Sequence, residues 1–297
     1  MKLKTDKYYL IPLFAAIPVA ALSIFMIVSA LRSDGISYSP SFVAYGGTFR
    51  YNDIHVLGIS LYMFLMLIGL GVAVVVSIFR RRQYGFGIGG SALVTVLLFL
   101  QSYLGAKLLF GVENAISNHS LRPFSISGQS LFGVLYISVL VIPLLALLFK
   151  KKPADLFDFF TSTFLILLIF IRLGCFTSGC CGARELSVNG SPLRLPVQLF
   201  EILFDLAILA LCLWLDRPRQ DGRSRGRGIF PVLLVTYCIT RFFLEFIRSS
   251  TLFFFGLSIS QIHCLIFFTV GAVWLCYLWE QDAVSLRRAK RKATHRK

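Results

Sequence analysis

Eight stretches of this sequence stay apolar for about 20 residues at a time, the length a helix needs to cross a hydrocarbon core roughly 30 Å thick. They lie near residues 9–31, 55–79, 88–111, 128–149, 156–174, 196–215, 229–248 and 257–279. A backbone in lipid must satisfy its own hydrogen bonds, so runs of this kind fold as helices. The sequence therefore predicts an all-α fold, a polytopic transmembrane bundle of about eight spans: a seven-span core plus an extra N-terminal helix. Composition agrees, because a chain with 57% hydrophobic and 15% charged residues has more apolar surface than one soluble core can cover.

The formal charge of +16 does not point to nucleic acid, because the basic residues gather at the ends of the apolar runs. Alternate connections and the two termini together carry 21 Lys and Arg, in 2–7, 80–82, 150–152, 217–227 and 287–297. The opposite connections carry 5, namely Arg32, Arg50, Arg122, Arg184 and Arg194. The positive-inside rule then places both termini in the cytoplasm. The first run follows a basic start, as a signal peptide does, but at about 22 residues it is too long for an ordinary secretory h-region and reads as a retained helix. No internal repeat or soluble domain is visible, and the chain divides into an N-terminal helix with its outer loop (1–53), a membrane core (54–280) and a basic cytoplasmic tail (281–297).

Charges inside spans are expensive, about 2.5 to 3.5 kcal/mol each on insertion scales, so they normally face the bundle interior or a polar cavity. Lys107 lies late in the third span, Arg172 ends the fifth, Glu201 and Asp205 open the sixth, and Arg241, Glu245 and Arg248 close the seventh. All but Asp205 are expected towards the outer face. Tyr237, Arg241, Glu245 and Arg248 fall at i, i+4, i+8 and i+11, which stacks them along one helix stripe. Gln198, Glu201 and Asp205 form a second stripe, entered through Pro196, a residue suited to a helix start. These groups could simply pair to hold helices together. Counted as outer groups, however, four cations face two carboxylates, a surplus that an anionic ligand such as a phospholipid phosphate would neutralise. Arginine suits that task, since its planar fork offers two parallel donors and keeps its charge.

Of seven cysteines, Cys212, Cys238, Cys264 and Cys276 sit in apolar runs, where a thiol behaves as a small hydrophobe. Cys175, Cys180 and Cys181 share the outer segment after Arg172. Adjacent Cys180 and Cys181 lack the two-residue ligand spacing of a metal site, and no fourth ligand is evident, so neither metal nor cofactor is expected. A disulfide from Cys175 to one of them and reduced packing thiols both remain open.

Taken together, these residues resemble the prolipoprotein diacylglyceryl transferase family over roughly Ile54 to Trp279. The family signature Gly-Arg-x-Gly-Asn-Phe-x-Asn-Gly is similar to the segment holding Arg172, Gly174, Phe176 and Gly179, with Arg184 further on. Pro196, Gln198, Leu199 and Glu201 match its His-Pro-Ser-Gln-Leu-Tyr-Glu segment. Tyr237, Arg241, Glu245, Phe246 and Arg248 match Tyr-x-x-x-Arg-x-x-x-Glu-Phe-x-Arg, the most specific similarity. Leu257–Gln261, Gly105-Ala-Lys107 and Ser127–Gly133, which contains Gln129, resemble shorter family segments. Gly128 stands where the family has a histidine proposed as a base, and Cys175, Ser178 and Cys180 replace two asparagines and a glutamate. The chain reads as a divergent member.

The resemblance implies a bacterial plasma-membrane enzyme, active site outward, moving diacylglycerol from phosphatidylglycerol to the lipobox cysteine of exported preprolipoproteins and releasing glycerol 1-phosphate. Arg172, Arg241 and Glu245 are its expected catalytic residues, with Lys107, Gln129, Gln198, Glu201, Tyr237 and Arg248 binding substrate. The attacking thiol, with a pKa near 8.5, needs a base or positive surroundings. Candidates are His119, His263, Tyr237 and Glu245, the last placed as an orienter because neighbouring arginines favour its charged form. The alternatives are a relative that binds phospholipid or uses another acceptor, and a transporter or scaffold whose polar stripes line a path.

Overall fold

A computed structural model describes residues 55–56, 59–118, 128–178, 185–188, 191–194, 196–216, 228–248 and 252–294. The expected first span, the loop 217–227, His119, Cys180, Cys181 and Arg184 lie outside the described residues. Among these residues seven α-helices succeed one another: α1 Leu61–Arg80, α2 Ile88–Asn118, α3 Leu131–Leu148, α4 Pro153–Ser178, α5 Val197–Leu215, α6 Ile229–Leu244 and α7 Ile259–Thr294. Three small antiparallel pairs join them: β1 His55–Val56 with β2 Ile59–Ser60, β3 Glu185–Val188 with β4 Ser191–Arg194, and β5 Leu252–Phe254 with β6 Leu257–Ser258. Six of the helices are long and apolar enough to cross a membrane, and α6 is a shorter apolar helix of 16 residues. The chain is a polytopic helical membrane protein.

Every expected span from 55 onward coincides with one of these helices, and the differences lie at the ends. The run expected over 229–248 closes as α-helix at Leu244, after which the amides of Phe246, Ile247 and Arg248 each bond the carbonyl three residues back. That tightened turn swings Arg248 across towards α5. The last helix continues past the apolar span Ile259–Gln281 into the basic tail as far as Thr294, because Ala, Leu, Arg and Lys are strong helix formers. The change at residue 281 is one of composition, with no break in the backbone. Cys175, expected to open an outer loop, lies instead in the last turn of α4, which runs through Ser178.

Helix α4 is the centre of the bundle: 83% of its apolar window is buried, against 28% for α1 and 17% for α7. Its Thr161, Ser162 and Thr163 hydroxyls bond carbonyls of their own helix, so polar side chains cross the core satisfied. Leu140, Leu144, Leu147, Leu148, Phe243 and Trp279 face outward, as expected where lipid is the solvent. Helices α2 and α3 meet backbone to backbone at Gly105 and Gly133, where a Cβ on either glycine would overlap the carbonyl oxygen of the other. Small residues at such a crossing let helices approach closely in lipid. Gly133→Val is expected to force α2 and α3 apart and destabilise the bundle by about 1 to 3 kcal/mol. Thermal unfolding of the purified protein in detergent checks this, and an unchanged midpoint would show that the crossing is not tight.

The two ends of the bundle hold different charge groups. At one end Arg80 pairs with Asp216 and bonds Ser162, and the Tyr84 hydroxyl donates to Asp216 at 2.7 Å, tying α1, α4 and α5. Lys151 donates to the Gly85 carbonyl at this same end. Asp158 accepts the amides of Ile229 and Phe230 at 2.9 and 3.0 Å and so caps the start of α6. Arg80 and Lys151, which the charge count assigns to one side, are thus held at the same end of the bundle.

Candidate active site

At the opposite end, α4, α5 and α6 bring their charged residues to one point. Glu201 is the centre: its Oε2 lies 3.0 Å from Arg172 Nε, and its Oε1 lies 2.5 Å from Arg241 Nη1 and 3.0 Å from Arg248 Nη1. Glu245 forms the second node, 2.9 Å from Arg241 Nη2 and 3.5 Å from Arg248 Nε. The i, i+4 and i, i+3 spacings along the 241–248 segment make the Glu245 contacts, as the sequence stripe implies. Arg172, Glu201, Arg241 and Glu245 are all buried, and Gln198, one turn before Glu201, is fully enclosed.

The segment Ser258–Gln261 shows why its residue types are needed. Ser258 N donates to Gln261 Oε1 at 2.9 Å while Gln261 N donates to Ser258 Oγ at 3.2 Å, a reciprocal cap at the start of α7. The capped serine hydroxyl then donates to Glu245 Oε1 at 3.1 Å, linking α7 to the charge network.

Two spaces adjoin this network. The smaller, about 10 Å³, is lined by Arg172, Glu201, Phe204, Asp205, Tyr237, Thr240, Arg241 and Leu244. That is room for roughly one water and not for a phosphate. Asp205, expected away from the outer groups, shares this space, so three carboxylates accompany the three arginines. The larger cavity, about 670 Å³, is within the range of small-molecule sites. Its wall is apolar over Met63, Met66, Phe99, Phe164, Leu167 and Leu168 and polar over Ser102, Tyr103, Lys107, Gln129 and Arg172, with Tyr62 and Cys175 beside them. Arg172 lines both spaces.

The structure thus divides the sequence-expected residues into two sets. Lys107, Gln129 and Arg172 reach the large cavity, whereas Glu201, Tyr237 and Arg241 line the small one and Gln198, Glu245 and Arg248 line neither. Gly128, at φ 156°, also lines the large cavity, and a Cβ there would overlap the ring of Phe110, which leaves no space for a side chain. The sequence reading missed Tyr62, Ser102, Tyr103 and the thiol of Cys175 as cavity residues. For α2 a signal was present: Phe99, Ser102, Tyr103, Ala106, Lys107 and Phe110 recur at helical spacing of three and four.

The sequence model of a known family decides which kind of membrane protein this is: the one described as "Prolipoprotein diacylglyceryl transferase" matches residues 51–277. The chain belongs to the prolipoprotein diacylglyceryl transferase family. It is similar to "Phosphatidylglycerol--prolipoprotein diacylglyceryl transferase 2" of Clostridium perfringens, with 27% identity over 66% of this chain and 81% of the relative. A second relative, "Phosphatidylglycerol--prolipoprotein diacylglyceryl transferase" of Clostridium tetani, is 23% identical over 58% of this chain and 73% of its own length. The matched range contains α1 to α6 and α7 as far as Tyr277, and with them both cavities and the charge network. The protein is a membrane transferase.

Proposed function

We propose that this transferase moves diacylglycerol from phosphatidylglycerol to the lipobox cysteine of exported preprolipoproteins, releasing glycerol 1-phosphate. It does so in the bacterial plasma membrane, with the charge network towards the extracytoplasmic side. The observation that carries this reading is the divided wall of the large cavity, apolar on one part and cationic or amide-bearing on the other. A phospholipid has the same division. Its phosphate fits against Arg172, Lys107 and Gln129, and an acyl chain fits along Met66, Leu167 and Leu168. The orientation is supported by the 21 basic residues assigned to the other end of the bundle.

In this reading Arg172 is the catalytic cation. Glu201 fixes its guanidinium, and Arg241, Glu245, Arg248, Gln198 and Tyr237 hold Glu201 and the facing helix stripes in register. The acceptor thiolate attacks the glyceryl carbon, the S–C bond forms, and the C–O bond to phosphate breaks with its electron pair leaving on oxygen. Fixed positive charge offsets the charge that grows on the departing phosphate. A buried, prearranged network suits this role because it needs no reorganisation as the charge develops.

The direct test is to incubate the purified protein with labelled phosphatidylglycerol and a lipobox peptide and to look for thioether-linked diacylglycerol with free glycerol phosphate. Lipid retained without product would favour a phospholipid-binding relative. Cys175 offers a separate check on the cavity. Added phosphatidylglycerol is expected to slow alkylation of its thiol, followed by mass spectrometry of the peptide that carries it; an unchanged rate would place the lipid elsewhere.

A further inference from the structure

Glu113 lies one helical turn beyond Phe110, a residue of the large-cavity wall, and its contacts are separate from the network around Glu201. On α2 the cavity-lining positions run to Lys107 and Phe110, and the next place on that stripe is Glu113. Its carboxylate accepts a 2.7 Å hydrogen bond from Ser130 Oγ, and Ser130 directly follows Gln129 on the cavity wall. From α7, His263 Nε2 comes within 3.3 Å of Glu113 Oε1, and the same imidazole meets the Tyr136 hydroxyl of α3 through Nδ1 at 3.0 Å. The ring of Phe132 lies 5.2 Å from the imidazole and completes that side. Ser130 at the start of α3 and His263 of α7 therefore hold the carboxylate of α2 in place. Its side chain is 20% exposed, open enough for a peptide to reach.

The chemistry of the cavity lacks such a group. Among the described residues that line it there is no carboxylate and no imidazole, only Lys107 and Arg172 as charged side chains. A thiol there meets cations, and the next ionisable side chain along the α2 stripe beyond Lys107 and Phe110 is Glu113. The groups facing Glu113 and His263 are accounted for. Lys107 lies further in on the same α2 stripe, Tyr136 faces the imidazole from α3, and Glu245 of the adjoining α6 segment is engaged by Arg241, Arg248 and Ser258.

We propose that Glu113 is the base that takes the proton of the acceptor thiol, with Ser130, His263 and Tyr136 as positioning residues. The inference rests on the transfer reading above. The S–H proton passes to the Glu113 carboxylate and leaves a thiolate. The thiolate forms the S–C bond as the C–O bond to phosphate breaks, the electron pair departs with glycerol phosphate, and Glu113 returns its proton to water or to that phosphate.

Glu113→Gln keeps the shape and removes the base. At pH 7 transfer to a lipobox peptide is expected to fall by about 100-fold, the lower end of what a positioned base contributes. At about pH 9.5, above the thiol pKa of about 8.5, the thiolate forms unaided, and the variant should come within a few-fold of the wild type. His263→Asn should show a smaller loss at pH 7 that recovers in the same way. A purely structural role predicts a deficit independent of pH, so equal losses at both pH values would overturn the assignment. A wild-type rate for Glu113→Gln at pH 7, or loss of lipid protection of Cys175 in that variant, would do the same. Absence of product from the wild type at either pH would sink the transfer reading itself, whereas a failure confined to the pH dependence concerns Glu113 alone.

Discussion

Replacing Glu201 by alanine is expected to destabilise the folded bundle by about 3 to 5 kcal/mol, the usual consequence of stranding buried charge. For a protein of this size that is a fall in the unfolding midpoint on the order of 10 °C. The effect is large because one carboxylate meets Arg172, Arg241 and Arg248, from α4, α6 and the turn after it. With Glu201 gone, Glu245 still faces Arg241 and Arg248, while Arg172 loses its 3.0 Å contact with the Glu201 carboxylate. Thermal unfolding in detergent is the measurement. A midpoint within about 2 °C of wild type, roughly 1 kcal/mol or less, would mean that the arginines find other partners and that the network is not cooperative.

The largest effect on turnover is expected at Arg172. Arg172→Ala should lower kcat/KM by about 100- to 1,000-fold, as loss of one prearranged donor to a developing negative charge does. Arg172→Lys should recover only part of this, because an ammonium keeps the charge but lacks the fork that bonds Glu201 and phosphate together. Arg172 is singled out because it alone lines both spaces, joining the buried ions to the cavity large enough for a lipid headgroup. The assay with labelled lipid and peptide decides the matter, and wild-type turnover in Arg172→Ala would remove the residue from the site. The sequence reading expected Arg241 to be catalytic together with Arg172. In the proposed reading Arg241, beside a space of about 10 Å³, acts through Glu201 and Glu245.

Much of this site was legible because it sits on helices. Tyr237, Arg241, Glu245 and Arg248 share a face by spacing alone, and an ion inside an apolar run must turn inward whatever its neighbours. Which cation meets which carboxylate was not legible, since Arg172 and Glu201 are brought together by packing of α4 on α5. The surroundings of Asp205 were hidden for a related reason: its depth along α5 follows from the sequence, but the arrival of Tyr237 and Arg241 opposite it does not. Glu113 and His263 lie 150 residues apart and carry no motif, so nothing local marks them as neighbours.

By itself the sequence determined that this chain lies in a membrane, where the described helices run, and which of their charges face inward. These follow from hydropathy, helical period and the expense of charge in lipid, all properties of single segments. Only the tertiary structure decided that the arginines close upon carboxylates, that the open volume lies beside Arg172 and Lys107, and that Glu113 meets His263. Such contacts depend on distances between helices, and those are set by close packing, as at Gly105 and Gly133, which no single segment encodes.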